Sequence, residues 1–244
     1  MTSEELIPPG LPEPFAGALR LAMDFVFSRT DKPLSVTLSG SVALGHGDFN
    51  SDLDIWVVVD ADHRQRVQRR FNGVPCEMFF NPEARIPRYF TEEASEGRCP
   101  SVGLTLDGHV LYDPQGVAER LREQARLVRA DGPQVSPETI ELRRYLAVDT
   151  LDNAVDVQAR DPLMASILSA SAVHESLRLA YLLNGQWTPR DKDLHVEIDS
   201  VCPQAVEPLR LYRLNPTPDT ARTVLQSILG VSTFFEWESS RDPV

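Results

Sequence analysis

The sequence predicts an α+β protein, in which a mixed β-sheet flanked by helices is followed by an all-helical C-terminal bundle. Before residue 131, short apolar and β-branched runs alternate with segments of helical periodicity. Residues 131–137 are rich in turn formers and nearly free of apolar side chains, which is typical of a linker. Beyond it, strand signals fade and helical periodicity takes over. We therefore predict a sheet-containing domain, residues 1–132, and a helical domain, residues 133–244.

The first predicted elements are a helix, two strands and a second helix. Residues 13–29 carry apolar side chains at helical spacing and are predicted to form the first helix. Residues 34–38 are partly β-branched and lie just before a glycine, which favours a strand that enters a turn. Residues 54–59 are apolar on both faces, as expected for a central strand. Residues 60–71 have an acidic first turn and good helix formers, so we predict a helix there.

The rest of the first domain continues this alternation. Residues 74–80 read as a third strand, with Glu77 at its centre between apolar neighbours. Residues 82–93 are predicted to be helical, and residues 109–112 form a short strand followed by an Asp-Pro-Gln-Gly turn. A helix over residues 117–130 completes the domain.

The second half is predicted to contain helices only. Ser136-Pro137-Glu138 is a sound helix start and leads into a helix that reaches about residue 158. A second long helix starts at Asp161-Pro162 and runs to about Leu183, where Asn184-Gly185 ends it. Two shorter helices are predicted over residues 201–211 and 217–229.

Composition restricts the classes of function. The net charge of -12 argues against general binding to a nucleic-acid backbone, which needs concentrated Lys and Arg. The three cysteines have no CxxC spacing and indicate reduced thiols rather than a disulfide framework. No basic stretch followed by an apolar one opens the sequence, and no apolar run reaches the roughly 20 residues needed to cross a bilayer. We expect a cytoplasmic protein without a membrane partner.

The strongest chemical signal is a pair of aspartates at the start of the predicted central strand. Asp52 and Asp54 project on the same side of a strand, because successive side chains point to opposite faces. Mg²⁺ takes oxygen ligands and is commonly held by one or two carboxylates plus substrate phosphates. Upstream, Gly40 allows close approach of a backbone, and Ser41 offers a hydroxyl and N–H groups suited to an anion. Taken alone, the aspartate pair also fits an exposed turn or strand edge.

Several common motifs are excluded by spacing. The Gly45-His46-Gly47 segment lacks the third glycine of a dinucleotide fingerprint, since position 50 is Asn, and the chain has no P-loop. His174-Glu175 is followed by Arg178 where a zincin helix needs its second histidine. No Gly-x-Ser-x-Gly elbow is present.

The remaining pattern resembles the polymerase-beta-like nucleotidyltransferase superfamily. That superfamily has a Gly-Ser turn, a short loop, Asp-x-Asp on a strand and a third acid on the next strand. These places are filled here by Gly40, Ser41, Asp52, Asp54 and Glu77. The likeness covers roughly residues 15–130 and predicts a nucleotidyltransferase-type mixed sheet.

The resemblance implies roles for individual residues. Asp52 and Asp54 would bind two Mg²⁺ ions, and Glu77 would complete the metal site or take the acceptor proton. Glu77 also fits an ordinary surface position on an edge strand. ATP would be the nucleotide donor, and its phosphates would meet Ser41. The residues implied in nucleotide binding within this domain are Gly40, Ser41 and Ser51.

The helical half resembles, more weakly, the bundle that follows this domain in aminoglycoside nucleotidyltransferases. There a long helix ends at Leu-Asn-Gly and a later lysine reaches the triphosphate, which assigns that role to Lys192. The alternative is a helix end followed by a solvated lysine. Related enzymes sometimes place a catalytic base on this helix, which makes Glu175 a candidate. Its alternative is a surface acid paired with Arg178 at i+3.

The predicted function is Mg²⁺-dependent transfer of a nucleoside monophosphate from ATP or another triphosphate to a hydroxyl group, with release of pyrophosphate. The acidic field favours a cationic small-molecule acceptor such as an aminoglycoside. Two alternatives remain: a nucleotidyltransferase that modifies a partner protein, and a non-catalytic nucleotide-binding module. The four arginines within residues 64–70 either bind the nucleotide or the acceptor, or form a solvated helix face.

Overall fold

The computed structural model describes residues 6–29, 32–231 and 238. They form two compact units. The first contains the described parts of Met1–Ala94 and Cys99–Asp131, and the second those of Ser95–Arg98 and Gly132–Val244. The predicted α+β class is confirmed, because a five-stranded mixed sheet lies near the N-terminus and the later region is mostly helical. The last part of the predicted helical domain, residues 232–237 and 239–244, lies outside the described residues.

The sheet of the first unit has the order β3-β4-β2-β1-β5. Strands β2 and β4 are parallel neighbours, and every other pairing is antiparallel. The strand predicted from the apolar run over residues 54–59 is β2, and it lies at the centre of the sheet as expected. The strands are β1 Pro33–Ser39, β2 Leu53–Val59, β3 Gln65–Phe71, β4 Val74–Pro82 and β5 His109–Tyr112.

Helices cover both faces of this sheet. On one face, apolar residues of helix α1 pack against alternate residues of β2, such as Ile55 and Val57. On the other face, Trp56 and Val58 pack against helices α3, α4 and α5. Burial on both faces explains why β2 is a continuous apolar run rather than an alternating one. The helices of this unit are α1 Phe15–Ser28, α2 Gly40–Ala43, α3 Ile86–Glu96, α4 Pro100–Leu106 and α5 Val117–Asp131.

The prediction of a helix over residues 60–71 is wrong, because this stretch contains the edge strand β3, Gln65–Phe71. Asn72 (φ 49°) and Gly73 (φ 80°) make the two-residue turn that joins β3 to β4 in a hairpin. Asn-Gly is the preferred pair for such a turn, since both central residues need positive φ. A polar edge strand exposed on both faces has no apolar alternation, so its composition resembles that of a solvated helix.

Helices α3 and α4 are joined by the half-buried carboxylate of Glu93. The backbone N–H and the hydroxyl of Ser101 donate to the two oxygens of Glu93, at 2.8 and 2.5 Å. Burial nevertheless raises the pKa of Glu93, because removing water disfavours the ionised form more than these hydrogen bonds favour it.

We expect Glu93→Gln to change the pH dependence of stability. A carboxyl group with a raised pKa binds its proton more tightly in the folded state, so the free energy of unfolding falls as pH rises above the ordinary value of 4.5. The variant lacks this titration and should lose that part of the slope, as measured by urea unfolding at a series of pH values. The control is Glu92→Gln on the same helix, whose side chain is half exposed. Equal slopes for wild type and Glu93→Gln would contradict the expectation.

The second unit is a helical bundle built on the long helices α6 and α7. Three of its helices begin with a side-chain cap. The side chain of Ser136 accepts a hydrogen bond from the N–H of Thr139 at the start of α6, and that of Asp161 accepts one from the N–H of Met164 at the start of α7. Thr217 and Thr220 form a capping box at the start of α10. The helix predicted over residues 201–211 corresponds to a turn of 3-10 helix, Pro203–Ala205, followed by a helix over Val206–Leu214. None of the helices in the described part of the chain is long and apolar enough to cross a membrane. The helices are α6 Pro137–Val157, α7 Pro162–Leu183, α8 Ile198–Val201, α9 Val206–Leu214 and α10 Pro218–Leu229.

Candidate metal centre

The sheet register brings the predicted acids together. Asp54 on β2 lies directly beside Glu77 on β4, and Ser39 on β1 lies on its other side. Asp52 comes just before β2, two residues from Asp54. One oxygen from each of the three carboxylates can be chosen so that all lie within 4.8 Å of one another. Asp52, Asp54 and Glu77 are called the acidic triad below.

The acidic triad fits a divalent cation that prefers oxygen ligands. Mg²⁺ and Ca²⁺ bind oxygen at about 2.0 to 2.6 Å, so one ion bridges ligand atoms about 4 to 5 Å apart. Glu77 is only 8% exposed, and a buried carboxylate is costly unless a cation or hydrogen bonds compensate it. The donor set is therefore suitable for Mg²⁺.

A glycine is required beside the triad. Gly40, at the start of α2, has φ +76°, and a Cβ atom there would collide with the carboxylate of Asp54. The preceding Ser39 donates its hydroxyl to the carbonyl of Leu104 at 2.5 Å, and the ring of His109 contacts the carbonyl of Ala43 at 3.0 Å. These contacts hold the Gly40-Ser41 turn against the sheet.

The loop between α2 and β2 is organised by Ser51. Its hydroxyl accepts from the N–H of Asp48 at 2.9 Å, donates to that residue's carboxylate at 3.2 Å and lies 3.4 Å from the hydroxyl of Ser41. Ser41 and Ser51 are thus adjacent at the entrance to β2. Their assignment to nucleotide binding stays a prediction.

A groove of about 410 Å³ adjoins the acidic triad. Burial raises the pKa of the lining Cys76 to about 11, so this thiol is protonated at neutral pH. All three cysteines of the chain are free. The groove is lined by Asp52, Gln68, Arg69, Arg70, Pro75, Cys76 and Glu77.

Sequence reasoning missed the ion pair between Arg66 and Glu77. The guanidinium Nε of Arg66, on β3, contacts the Glu77 carboxylate, and its Cζ lies 5.6 Å from the centre of the Phe79 ring. A helix over residues 60–71 would not pair with the strand of Glu77, so the predicted helix gave no reason to expect this contact. The Asn72-Gly73 turn signal could have revealed it, since a hairpin places this strand against the strand of Glu77.

We expect Arg66→Gln to make the protein more dependent on divalent cations. Without Arg66, the buried Glu77 carboxylate loses a compensating charge, so stability without metal should fall by about 1 kcal/mol, a value kept small because Arg66 is largely exposed. The same change removes a competitor for the metal, so Mn²⁺ or Mg²⁺ should bind more tightly. Thermal unfolding during a metal titration measures both effects. If metal fails to restore the lost stability, Glu77 is not a metal ligand.

The two remaining predicted site residues lie in the second unit. On α7, Glu175 pairs with Arg143 at 2.6 Å and with Arg178 at 3.9 Å, so the i+3 pair proposed as the alternative is present. Lys192 is exposed on a single turn of 3-10 helix, Asp191–Asp193. The roles of Glu175 as a base and of Lys192 in nucleotide binding stay predictions.

Comparison with known proteins finds a similar fold among solved structures. No family model matches the sequence, and no curated protein matches it significantly. Among solved structures, the chain is similar to the crystal structure of a nucleotidyltransferase-like protein from Exiguobacterium sibiricum 255-15. The TM-score is 0.53 at 12% identity, over 88% of this chain and 73% of that chain. The chain thus has a nucleotidyltransferase-like fold, and this fold carries a candidate acidic metal site.

Proposed function

We propose that the protein is a Mg²⁺-dependent nucleotidyltransferase that moves a nucleoside monophosphate from ATP, or another nucleoside triphosphate, to a hydroxyl group of a small molecule. The observation that carries the proposal is the acidic triad beside the Gly40-Ser41 turn, in which one oxygen from each carboxylate lies within 4.8 Å of the other two. A nucleotidyltransferase-like fold around this site supports the same reaction.

In the proposed reaction, a displacement at the α-phosphorus of the triphosphate, the carboxylates have two roles: metal binding and acceptance of a proton. Asp52, Asp54 and Glu77 would hold two Mg²⁺ ions, which when bound neutralise the triphosphate and stabilise the leaving oxygen. The acceptor oxygen bonds to the α-phosphorus, the bond from this phosphorus to the bridging oxygen breaks, and pyrophosphate leaves with the electron pair. The acceptor proton passes to a carboxylate, for which Glu77 and Glu175 are the candidates.

Nucleotide binding is assigned to backbone and hydroxyl groups of the first unit. Gly40 lets the backbone approach the phosphates, while Ser41 and Ser51 present adjacent hydroxyls. The resemblance to aminoglycoside nucleotidyltransferases makes Lys192 a further candidate for binding the triphosphate.

The test is direct detection of the product. The protein is incubated with each of the four nucleoside triphosphates, Mg²⁺ and a panel of hydroxyl compounds that includes aminoglycosides. We expect mass spectrometry to find an acceptor heavier by one nucleoside monophosphate, together with pyrophosphate. The double variant Asp52→Asn/Asp54→Asn should give neither. Transfer that persists in this variant would refute the assignment of the site.

A protein acceptor is the second candidate. The long helices α6 and α7 expose several large apolar side chains, and apolar side chains that form a large contiguous patch mark protein contacts. Labelling of a co-purified polypeptide, without labelling of any small molecule, would favour this candidate. A non-catalytic nucleotide-binding module fits less well, because nucleotide binding alone does not require three converging carboxylates. These side chains include Leu142, Leu146, Leu163 and Ile167.

A further inference from the structure

The loop between α2 and β2 carries the most exposed large apolar side chain in the described part of the chain. Phe49 is 93% exposed, so its ring adds almost nothing to the hydrophobic core of the first unit. Single exposed apolar residues are common on protein surfaces, and exposure alone assigns no role. The role of Phe49 therefore depends on what holds it in place and on what lies beside it.

Hydrogen bonds fix the backbone that carries Phe49. The N–H of Ser51 donates to the carbonyl of Asp48 at 3.0 Å, which closes a β-turn with Phe49 and Asn50 at its two central positions. The carboxylate of Asp48 accepts a hydrogen bond from the N–H of Asn50 at 2.9 Å, as aspartate commonly does in turns. Small polar residues, glycine and proline dominate such turns, so the turn itself does not require an aromatic side chain.

The loop is also tied to Ser41. The N–H of His46 donates to the carbonyl of Ser41 at 2.8 Å, and the hydroxyls of Ser41 and Ser51 lie 3.4 Å apart. Only three peptide units separate Phe49 from Asp52, so their Cα atoms lie within about 11 Å of each other. The loop therefore holds Phe49 close to the acidic triad and to these two hydroxyls.

The chemistry of the ring and its position together indicate a nucleobase as its ligand, provided that the proposed function is correct. A phenyl ring has no hydrogen-bond donor or acceptor, so it binds a flat or apolar face of a ligand. Ser41 and Ser51, which the proposed function assigns to the triphosphate, are hydrogen-bonded to each other at the two ends of this loop. The ribose alone joins a base to the phosphates, so the base of a nucleotide bound there lies close to the same loop.

We propose that Phe49 is the base-stacking residue of the donor site, and that its ring packs against the face of the nucleobase of the bound triphosphate. Stacking on an aromatic side chain tolerates every base, because each base has a π-face. Phe49 therefore strengthens binding of all four nucleoside triphosphates. Its contribution is larger for purines than for pyrimidines, because a purine has the larger face.

The first test measures nucleotide binding without catalysis. A non-hydrolysable ATP analogue and inorganic tripolyphosphate, each with Mg²⁺, are titrated by calorimetry against wild type, Phe49→Ala and the control Leu127→Ala. Leu127 lies on α5 in the same unit and is 60% exposed. We expect Phe49→Ala to bind the ATP analogue about tenfold more weakly, since one stacked base contributes about this much. Tripolyphosphate has no base and should bind all three proteins equally.

The comparison of the two ligands makes the result specific to the base. Phe49→Ala should unfold at the wild-type temperature without ligand, because the side chain is exposed. An equal loss of affinity for both ligands would mean that Phe49 acts on the phosphates or on the loop, and overturns the proposal. Unchanged affinity for the ATP analogue overturns it as well.

A second variant detects the stacking directly. Phe49→Trp keeps an aromatic face and should bind the ATP analogue at least as tightly as wild type does. Its additional fluorescence, measured against the signal of the three native tryptophans in wild type, should be quenched by the ATP analogue and not by tripolyphosphate. Equal responses to the two ligands contradict contact between the base and the ring.

A transfer assay separates this proposal from the proposed function. In Phe49→Ala, the KM for ATP should rise about tenfold and the KM for the acceptor should stay unchanged. A rise in the acceptor KM alone would place a ring of the acceptor on Phe49 and overturn base stacking, while the reaction stands. Binding of the ATP analogue that depends on Phe49, without transfer to any acceptor, supports base stacking and counts against the nucleotidyltransferase reaction.

Discussion

Asp52→Asn and Asp54→Asn are each expected to reduce nucleotide transfer about a thousandfold or more, because metal ions supply several kcal/mol of transition-state stabilisation and each 1.4 kcal/mol is tenfold in rate. Asn keeps the shape of the side chain but removes the negative charge that holds the ion. Each variant should also lose stabilisation by Mn²⁺ or Mg²⁺ in thermal unfolding. That readout does not depend on knowing the acceptor.

The matched control is Asp60→Asn, an exposed aspartate directly after the far end of β2. This change removes one negative charge at the end of β2 that is distant from the acidic triad. Both the activity and the stabilisation by metal should therefore stay at the wild-type level. Without metal, the two site variants should be as stable as wild type or more so, because three converging carboxylates repel one another. Metal-dependent stabilisation that survives in both variants would show that the ion binds elsewhere.

Gly40→Ala is expected to have the second largest effect. Its positive φ disfavours any residue with a Cβ, at a cost of about 1 to 2 kcal/mol. In addition, the new methyl group would occupy the position of the Asp54 carboxylate, so that side chain or the turn must shift. We expect loss of most activity and weaker metal binding, measured by transfer assay and metal titration.

Gly45→Ala separates these two causes. Gly45 lies in the loop that follows α2, has φ +74°, and a Cβ there meets no atom within 4 Å. This variant should therefore lose stability from backbone strain alone and keep wild-type metal affinity. If Gly40→Ala and Gly45→Ala bind metal equally well, contact with Asp54 is not the reason for the glycine at position 40.

Local patterns were sufficient for most elements of this chain. The apolar run after Asp54 is a central strand, and the proline-headed starts at residues 137 and 162 begin helices α6 and α7. These features depend on side-chain alternation, helical periodicity and capping, which act within a few residues. The polar stretch before Asn72 was misread because its exposed side chains carry no periodic apolar signal.

The sequence by itself determined the α+β class and indicated the pairing of Asp52 with Asp54 on one side of a strand. Only the tertiary structure decided which strand lies beside β2 and therefore which groups face the acidic pair. The parallel register of β2 and β4 places Glu77 next to Asp54. The hairpin of β3 and β4 places Arg66 on Glu77 and two further arginines in the lining of the groove. Strand order and register depend on packing between segments distant in sequence, whereas periodicity reports only the near neighbours of each residue.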